Sequence, residues 1–260
     1  MKLGVCAGAD KAPILADAGV DFIELGVTGA LSPLTDESAW AEKRDTFLAL
    51  PLPVETFNVF LPGTLRITGE PDQLADSATV RDYVFTALRR AREIGGKVIV
   101  FGSGGARRVP DGFAKESAAE QIRDFLRICA EATEETGIVI AIEPLNQGEC
   151  NIINTVAEAV TEYAAILNHP GIRVLADTYH MELENEAISV IAEHAPFIAH
   201  VHTADTKRVA PGQGEYDHAA LFRTLRDAGY TGRLSVEANF TNLETEIADV
   251  MRHLRNAEKQ

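Results

Sequence analysis

The sequence predicts one (β/α)8 barrel spanning residues 1–260, and three observations predict it. Apolar runs of four to eight residues alternate with longer amphipathic stretches along the whole chain. Eight such runs with helical patterns between them fit the ~250 residues that barrels of this kind use. Several runs also end in an acid or an imidazole, and strand ends are where such barrels place working residues.

The elements follow in order. The first run, residues 3–6, leads into "CAGADKAP", which is not the G-x-G-x-x-G turn of an open dinucleotide-binding sheet. The second, 22–25, carries Glu24. The third, 54–60, carries Asn58, and the Pro-, Gly- and Asp-rich stretch 61–78 reads as a loop above the barrel mouth. Val80, Val84, Leu88 and Ala91 then recur at helical spacing. The fourth run, 98–101, opens into "FGSGGARR"; Ile122, Phe125, Leu126 and Cys129 mark the next helix face. The fifth, 138–142, runs into Glu143, and the sixth, 172–176, into Asp177. "IAHVHTAD" places His202 and Asp205 at the end of the seventh, 198–202, and the eighth, 234–237, ends at Glu237. "TNLE" at 241–244 reads as a capping box for a last helix bearing Leu243, Ile247, Val250, Met251 and Leu254. Gly95, Gly137 and Gly229 sit where helices should stop. Apolar strands separated by helices imply a parallel sheet covered on both faces, and no linker divides the chain.

Composition narrows the function. With 24 basic and 39 acidic residues the net charge is −15, which repels phosphate backbones and anionic membrane surfaces. Nucleic acid and membrane are therefore excluded as expected partners. Cys6, Cys129 and Cys150 form no C-x-x-C pair, as expected of a reducing compartment. The N-terminus has no signal-peptide h-region and no apolar run approaches ~20 residues, so a cytoplasmic location is expected.

The ends of the fifth to eighth strands supply Glu143, Asp177, His202 and Glu237, converging on one side of the mouth. Three carboxylates gathered out of water repel one another. A divalent cation removes that conflict, because carboxylate oxygens and an imidazole are good ligands for Mn²⁺, Mg²⁺, Co²⁺ or Zn²⁺. An ordinary loop carboxylate is the bland reading of any one of them; the pattern across four adjacent strands favours a metal site.

The set "IEPLNQGE", "ADTYHM", "HVHTADTKR" and "SVE" resembles the sugar isomerase/epimerase superfamily with xylose-isomerase-like barrels, in particular the ketose 3-epimerases. The resemblance implies that Glu143, Asp177, His202 and Glu237 bind one divalent metal, with Mn²⁺ the expected ion, and that Glu143 and Glu237 double as an acid/base pair. It further implies that Glu149, His180 and Arg208 contact a small-molecule sugar or sugar derivative, and that the chain forms a homo-dimer or tetramer. The chemistry is self-consistent. Proton abstraction beside a ketone yields an enediolate that a Lewis acid stabilises, and two carboxylates on opposite faces can invert the centre. The same opening step serves three alternatives: a keto-inositol dehydratase, a lyase eliminating from a 3-oxo-glycoside, and a hydroxypyruvate-type isomerase.

Other residues carry two readings each. Arg107 or Arg108, in the glycine-rich turn, could hold an anionic substituent or be solvated; Lys207 is a further anion candidate. Asn58 could bond a substrate hydroxyl or cap its loop. Glu24 reads as a supporting carboxylate and His200, two before His202 and on the same strand face, as support or packing. His169, His194, His218 and His253 are expected at the surface, and Cys6 and Cys150 are not expected to be nucleophiles. The segment after the first strand lacks the aromatic residues that wall the sugar in the ketose 3-epimerases. A larger, phosphorylated or carboxylated substrate is therefore expected to be admissible.

Overall fold

Eight parallel strands pair in sequence order and close into a barrel in this computed structural model, which describes residues 1–260. They are β1 Lys2–Cys6, β2 Phe22–Gly26, β3 Val54–Asn58, β4 Val98–Phe101, β5 Val139–Ile142, β6 Ile172–Asp177, β7 Ile198–Thr203 and β8 Arg233–Val236. The closing seam pairs Leu3 with Leu234 and Val5 with Val236. The expected (β/α)8 architecture is the observed one.

Strand alternation divides the interior in two. One face of each strand joins a buried apolar cluster of 64 residues shared with the outer helices, including Ile99, Phe101, Ile140, Ile142, Val174 and Ala176. The other face points into the barrel, where Val98, Val100, Ala141 and Leu175 form a separate small cluster. Two residues further along the same faces stand Glu143 (after Ala141) and Asp177 (after Leu175). The strands that bury apolar side chains low in the barrel therefore deliver carboxylates at its mouth.

The helices follow their predicted faces. Ser77–Glu93 buries Val80, Val84, Leu88 and Ala91, and Lys115–Thr136 buries Ile122, Phe125, Leu126 and Cys129. The latter ends on Gly137 at φ 70°, a left-handed cap that a side chain would strain.

Several local expectations are corrected. β3 stops at Asn58 because Val59 adopts φ 48°, which no strand tolerates. The last helix is capped by Asn242 rather than Thr241: its side chain accepts the Glu244 N–H at 3.0 Å, and its own N–H donates to Glu246 at 2.8 Å. His218 is buried rather than exposed, its ring packed against His253 with Nδ1 3.2 Å from His253 Nε2. No helix is long and apolar enough to cross a membrane.

Candidate active site

At the C-terminal ends of the strands lies a cavity of about 290 Å³ whose walls include Asn58, Glu143, Glu149, His180, Arg208 and Glu237. That volume suits a small substrate, since ligand pockets run from ~300 to 1,000 Å³. Four of the five expected substrate contacts thus share one cavity with the two expected acid/base residues.

Asp177 and His202 stand beside them. Register aligns Asp177 of β6 with His202 of β7, and His202 with Ser235 of β8. One donor atom from each of Glu143, Asp177, His202 and Glu237 can be chosen so that all four lie within 4.8 Å of one another. His202 Nδ1 is 3.3 Å from Glu237 Oε2, 3.4 Å from Glu143 Oε1 and 3.9 Å from Asp177 Oδ2.

Two of these atoms, His202 Nδ1 and Asp177 Oδ2, are buried without a hydrogen-bond partner. Leaving buried polar atoms unpaired costs ~1–3 kcal/mol apiece, so the chain presents them to something outside itself. Ligands 2.0–2.2 Å from one centre lie at most about 4.4 Å apart, within a few tenths of the observed spread. An imidazole nitrogen with three carboxylates is the donor set of a divalent cation, and the residues fit one.

Glu24 sets the imidazole. Fully buried in the middle of β2, its Oε1 accepts from His202 Nε2 at 2.9 Å. Its Oε2 accepts from Thr56 Oγ1 (2.7 Å), His200 Nε2 (2.8 Å) and Ser235 Oγ (2.6 Å). A His202 that donates from Nε2 turns Nδ1 toward the carboxylate cluster, the arrangement that orients metal-bound histidines. Burial lowers the His202 pKa, but the charge of Glu24 foremost, with Cys6, Glu237 and Glu143, raises it well above the ordinary range. A metal at Nδ1 requires that nitrogen to be unprotonated, so cation binding and proton release are linked at this imidazole.

The two candidate acid/base residues differ in environment. Burial dominates at Glu143 and pushes its pKa up. Glu237 is also desolvated, yet His202 and then Arg208 outweigh burial and hold it down at about 2. Arg208 donates to Glu237 Oε2 at 2.7 Å and reaches Glu149 Oε1 at 3.4 Å. Asn58 Nδ2 donates to Glu237 Oε1 at 3.3 Å.

His180 is fixed by Asn146, a residue sequence reasoning passed over although "IEPLN" contains it. The Asn146 N–H donates to His180 Nδ1 at 3.2 Å, leaving Nε2–H free, and Asn146 Nδ2 donates to Glu149 Oε1 at 3.1 Å. Gly102 was also missed. A Cβ there would lie 2.2 Å from Glu143 Oε2, so glycine is what lets the carboxylate occupy its place.

The expectation for Arg107 is corrected. Its fully buried guanidinium donates to the carbonyls of Phe101 (2.9 Å) and Glu143 (2.7 Å), tying β4 to β5 beneath the cavity. It offers nothing to a substrate anion. Arg108 spends a donor on the Glu149 carbonyl at 2.5 Å, and Lys207 is exposed and does not line the cavity. On the apolar side stand Val59, Leu61 and Leu145.

A family model described as "Xylose isomerase-like TIM barrel" matches residues 13–257. The chain belongs to the xylose isomerase-like TIM barrel family. It is 31% identical over 157 residues to a 3-dehydro-D-guloside 4-epimerase of Escherichia coli K12, covering 58% of this chain and 60% of that protein. To an L-ribulose 3-epimerase of Mesorhizobium japonicum it is 26% identical over 240 residues, 90% of this chain and 74% of the relative. A match to a D-psicose 3-epimerase of Ruminiclostridium cellulolyticum (30% over 123 residues) covers 47% of this chain and 40% of the relative, so these alignments span from under half to about three quarters of the relatives' lengths. Among solved structures, a 3-keto-D-glucoside 4-epimerase from E. coli superposes with a TM-score of 0.84 at 23% identity, covering 98% of this chain and 99% of that one. At that identity the likeness establishes the fold.

Proposed function

We propose that this chain is a divalent-metal-dependent sugar epimerase or isomerase of the ketose 3-epimerase type, removing and returning a proton beside a ketone. The observation that carries the reading is the pairing of Glu143 and Glu237 on one cavity with the unpartnered His202 Nδ1 and Asp177 Oδ2 beside them. The names of the relatives, epimerases of ketoses and of a 3-dehydro-glycoside, support it.

Glu143, Asp177, His202 and Glu237 would hold the cation, with Mn²⁺ proposed. When bound, it supplies Lewis-acid stabilisation of the negative charge that grows on the oxygens flanking the abstracted proton. Glu237, paired with Arg208, accepts the proton from one face, and Glu143, carrying a proton, returns it from the other. The reverse reaction exchanges their roles. His180 offers its free Nε2–H to a substrate oxygen. Glu149 and Arg208 hold hydroxyls beyond the reacting carbons. The only cation lining the cavity, Arg208, is already paired with Glu237 and Glu149, so the substrate is read as an uncharged polyhydroxy ketone or its glycoside.

The test is product analysis with Mn²⁺-loaded protein on a panel of free ketoses, ketose phosphates and 3-oxo-glycosides. An epimer or aldose from an uncharged member is expected. An unsaturated or cleaved product would replace the epimerase with a lyase, and turnover of phosphates alone would overturn the substrate reading.

A further inference from the structure

The loop after β7 has strained backbone. Lys207 (φ 61°, ψ 21°) and Arg208 (φ 63°) stand in left-handed conformations in succession, and neither is glycine. Such residues persist only where the surroundings over-determine them. From this turn the Arg208 guanidinium lies 4.8 Å from the Tyr179 ring centroid and reaches Glu237 and Glu149.

Asp205 stands three residues ahead and is 2% exposed, yet no cation pairs with it. Its charge is met by backbone amides instead. Oδ1 accepts the N–H groups of Thr206 (2.9 Å) and Tyr216 (2.8 Å), and Oδ2 that of Gly212 (2.8 Å). One carboxylate thus ties together the start, middle and end of an eleven-residue loop, residues 206–216. Its main chain adds two more ties: the carbonyl accepts the Arg208 N–H and the N–H donates to the Val209 carbonyl, both at 2.9 Å. The loop closes so tightly that a Cβ at Gly214 would lie 2.4 Å from Asp205 Oδ1. On its other side the Arg208 carbonyl accepts the Asn239 N–H at 2.7 Å, joining the turn to the segment that carries Glu237.

We propose that Asp205 is a positioning residue whose carboxylate clamps the loop in the turn that delivers the Arg208 guanidinium to Glu237 and Glu149. It touches no reacting group and acts through Arg208. A carboxylate is required because three N–H donors converge on it, and an amide would turn a donor of its own toward one of them. The inference rests on the cavity being the reaction site, and the test separates the two ideas.

Two readouts are taken on Asp205→Asn, Arg208→Met and the double variant. In ¹⁵N-labelled protein, the arginine side-chain signal that Arg208→Met removes is expected to move toward that of a solvated guanidinium in Asp205→Asn, with the other arginine signals in place. In turnover, Asp205→Asn is expected to lose about tenfold or more in kcat/KM, and the double variant to match Arg208→Met within about twofold. An unmoved Arg208 signal, or losses that multiply in the double variant, overturns the proposal. A moved signal in a protein that turns over no ketose supports the clamp while sinking the proposed function. Should Asp205→Asn fail to fold, Gly214→Ala presses a methyl onto the same carboxylate and takes its place in both comparisons.

Discussion

Replacing Glu24 by Gln changes one atom of a residue that does not line the cavity and is expected to weaken metal binding and stability together. The carboxylate accepts four hydrogen bonds, from His202, Thr56, His200 and Ser235, at 2.6–2.9 Å. An amide in the same place must turn its NH₂ either toward His202 or toward Thr56, His200 and Ser235. The Thr56 and Ser235 hydroxyls can rotate to accept; the imidazoles adjust only by changing tautomer. A His202 that accepts at Nε2 carries its proton on Nδ1, in the position a metal needs. Loss of such supporting partners lowers metal affinity by ~10–100-fold. Removing the charge also leaves the buried His202 without its charged partner, and breaking a buried ion pair costs ~3–5 kcal/mol. For a chain of this size that lowers Tm by about 6–20 °C, at ~2–4 °C per kcal/mol. Isothermal titration of chelator-stripped protein with Mn²⁺ and calorimetric melting of the apo form measure both. A Glu24→Gln protein that binds Mn²⁺ within twofold of the parent and melts within about 2 °C of it would refute this role for Glu24.

Further outcomes follow from other contacts. Gly102→Ala places a methyl on Glu143 Oε2 and is expected to cut kcat by about 100-fold, the effect of an ~1 Å misplacement, while Tm moves little; steady-state kinetics and a melt decide it. His218 bears on pH. Burial holds its pKa down at about 4 against the ordinary 6.5, so the unfolded chain takes up a proton that the folded chain refuses. Its contribution is full above pH 6.5 and is lost as pH falls toward 4; the gap of about 2.5 pH units is worth about 3 kcal/mol. Denaturant midpoints of His218→Leu between pH 7 and 4.5 should decline less steeply than those of the parent, and parallel curves would contradict this.

The sequence exposed the strand ends better than it exposed what supports them. Glu143, Asp177 and His202 are legible because each terminates an apolar run, and a one-residue slip would put them on the helix-facing side. Their inward alignment with Ala141 and Leu175 follows from the same period. Glu24 could be placed near the site but not joined to His202, because 178 residues separate the partners and only barrel closure brings them together. Arg107 misled for a related reason. A glycine-rich turn with arginines suits an anion, yet the Glu143 carbonyl that captures this one lies 36 residues on. His218 looked like a surface histidine at a helix start until the last helix packed His253 across it. Local pattern therefore revealed the barrel and its four converging side chains, while the hydrogen bonds that fix tautomer, charge and loop shape are long-range.

The most direct measurement of the central claim is solvent exchange. Mn²⁺-loaded protein is incubated in D₂O with uncharged ketoses, and NMR follows the proton beside the ketone in the parent, Glu143→Gln and Glu237→Gln. Deuterium should enter at that carbon in substrate and product with the parent protein, and each carboxylate variant should abolish turnover. Turnover without any deuterium incorporation, or undiminished exchange in either variant, would contradict a mechanism in which these two carboxylates remove and return the proton.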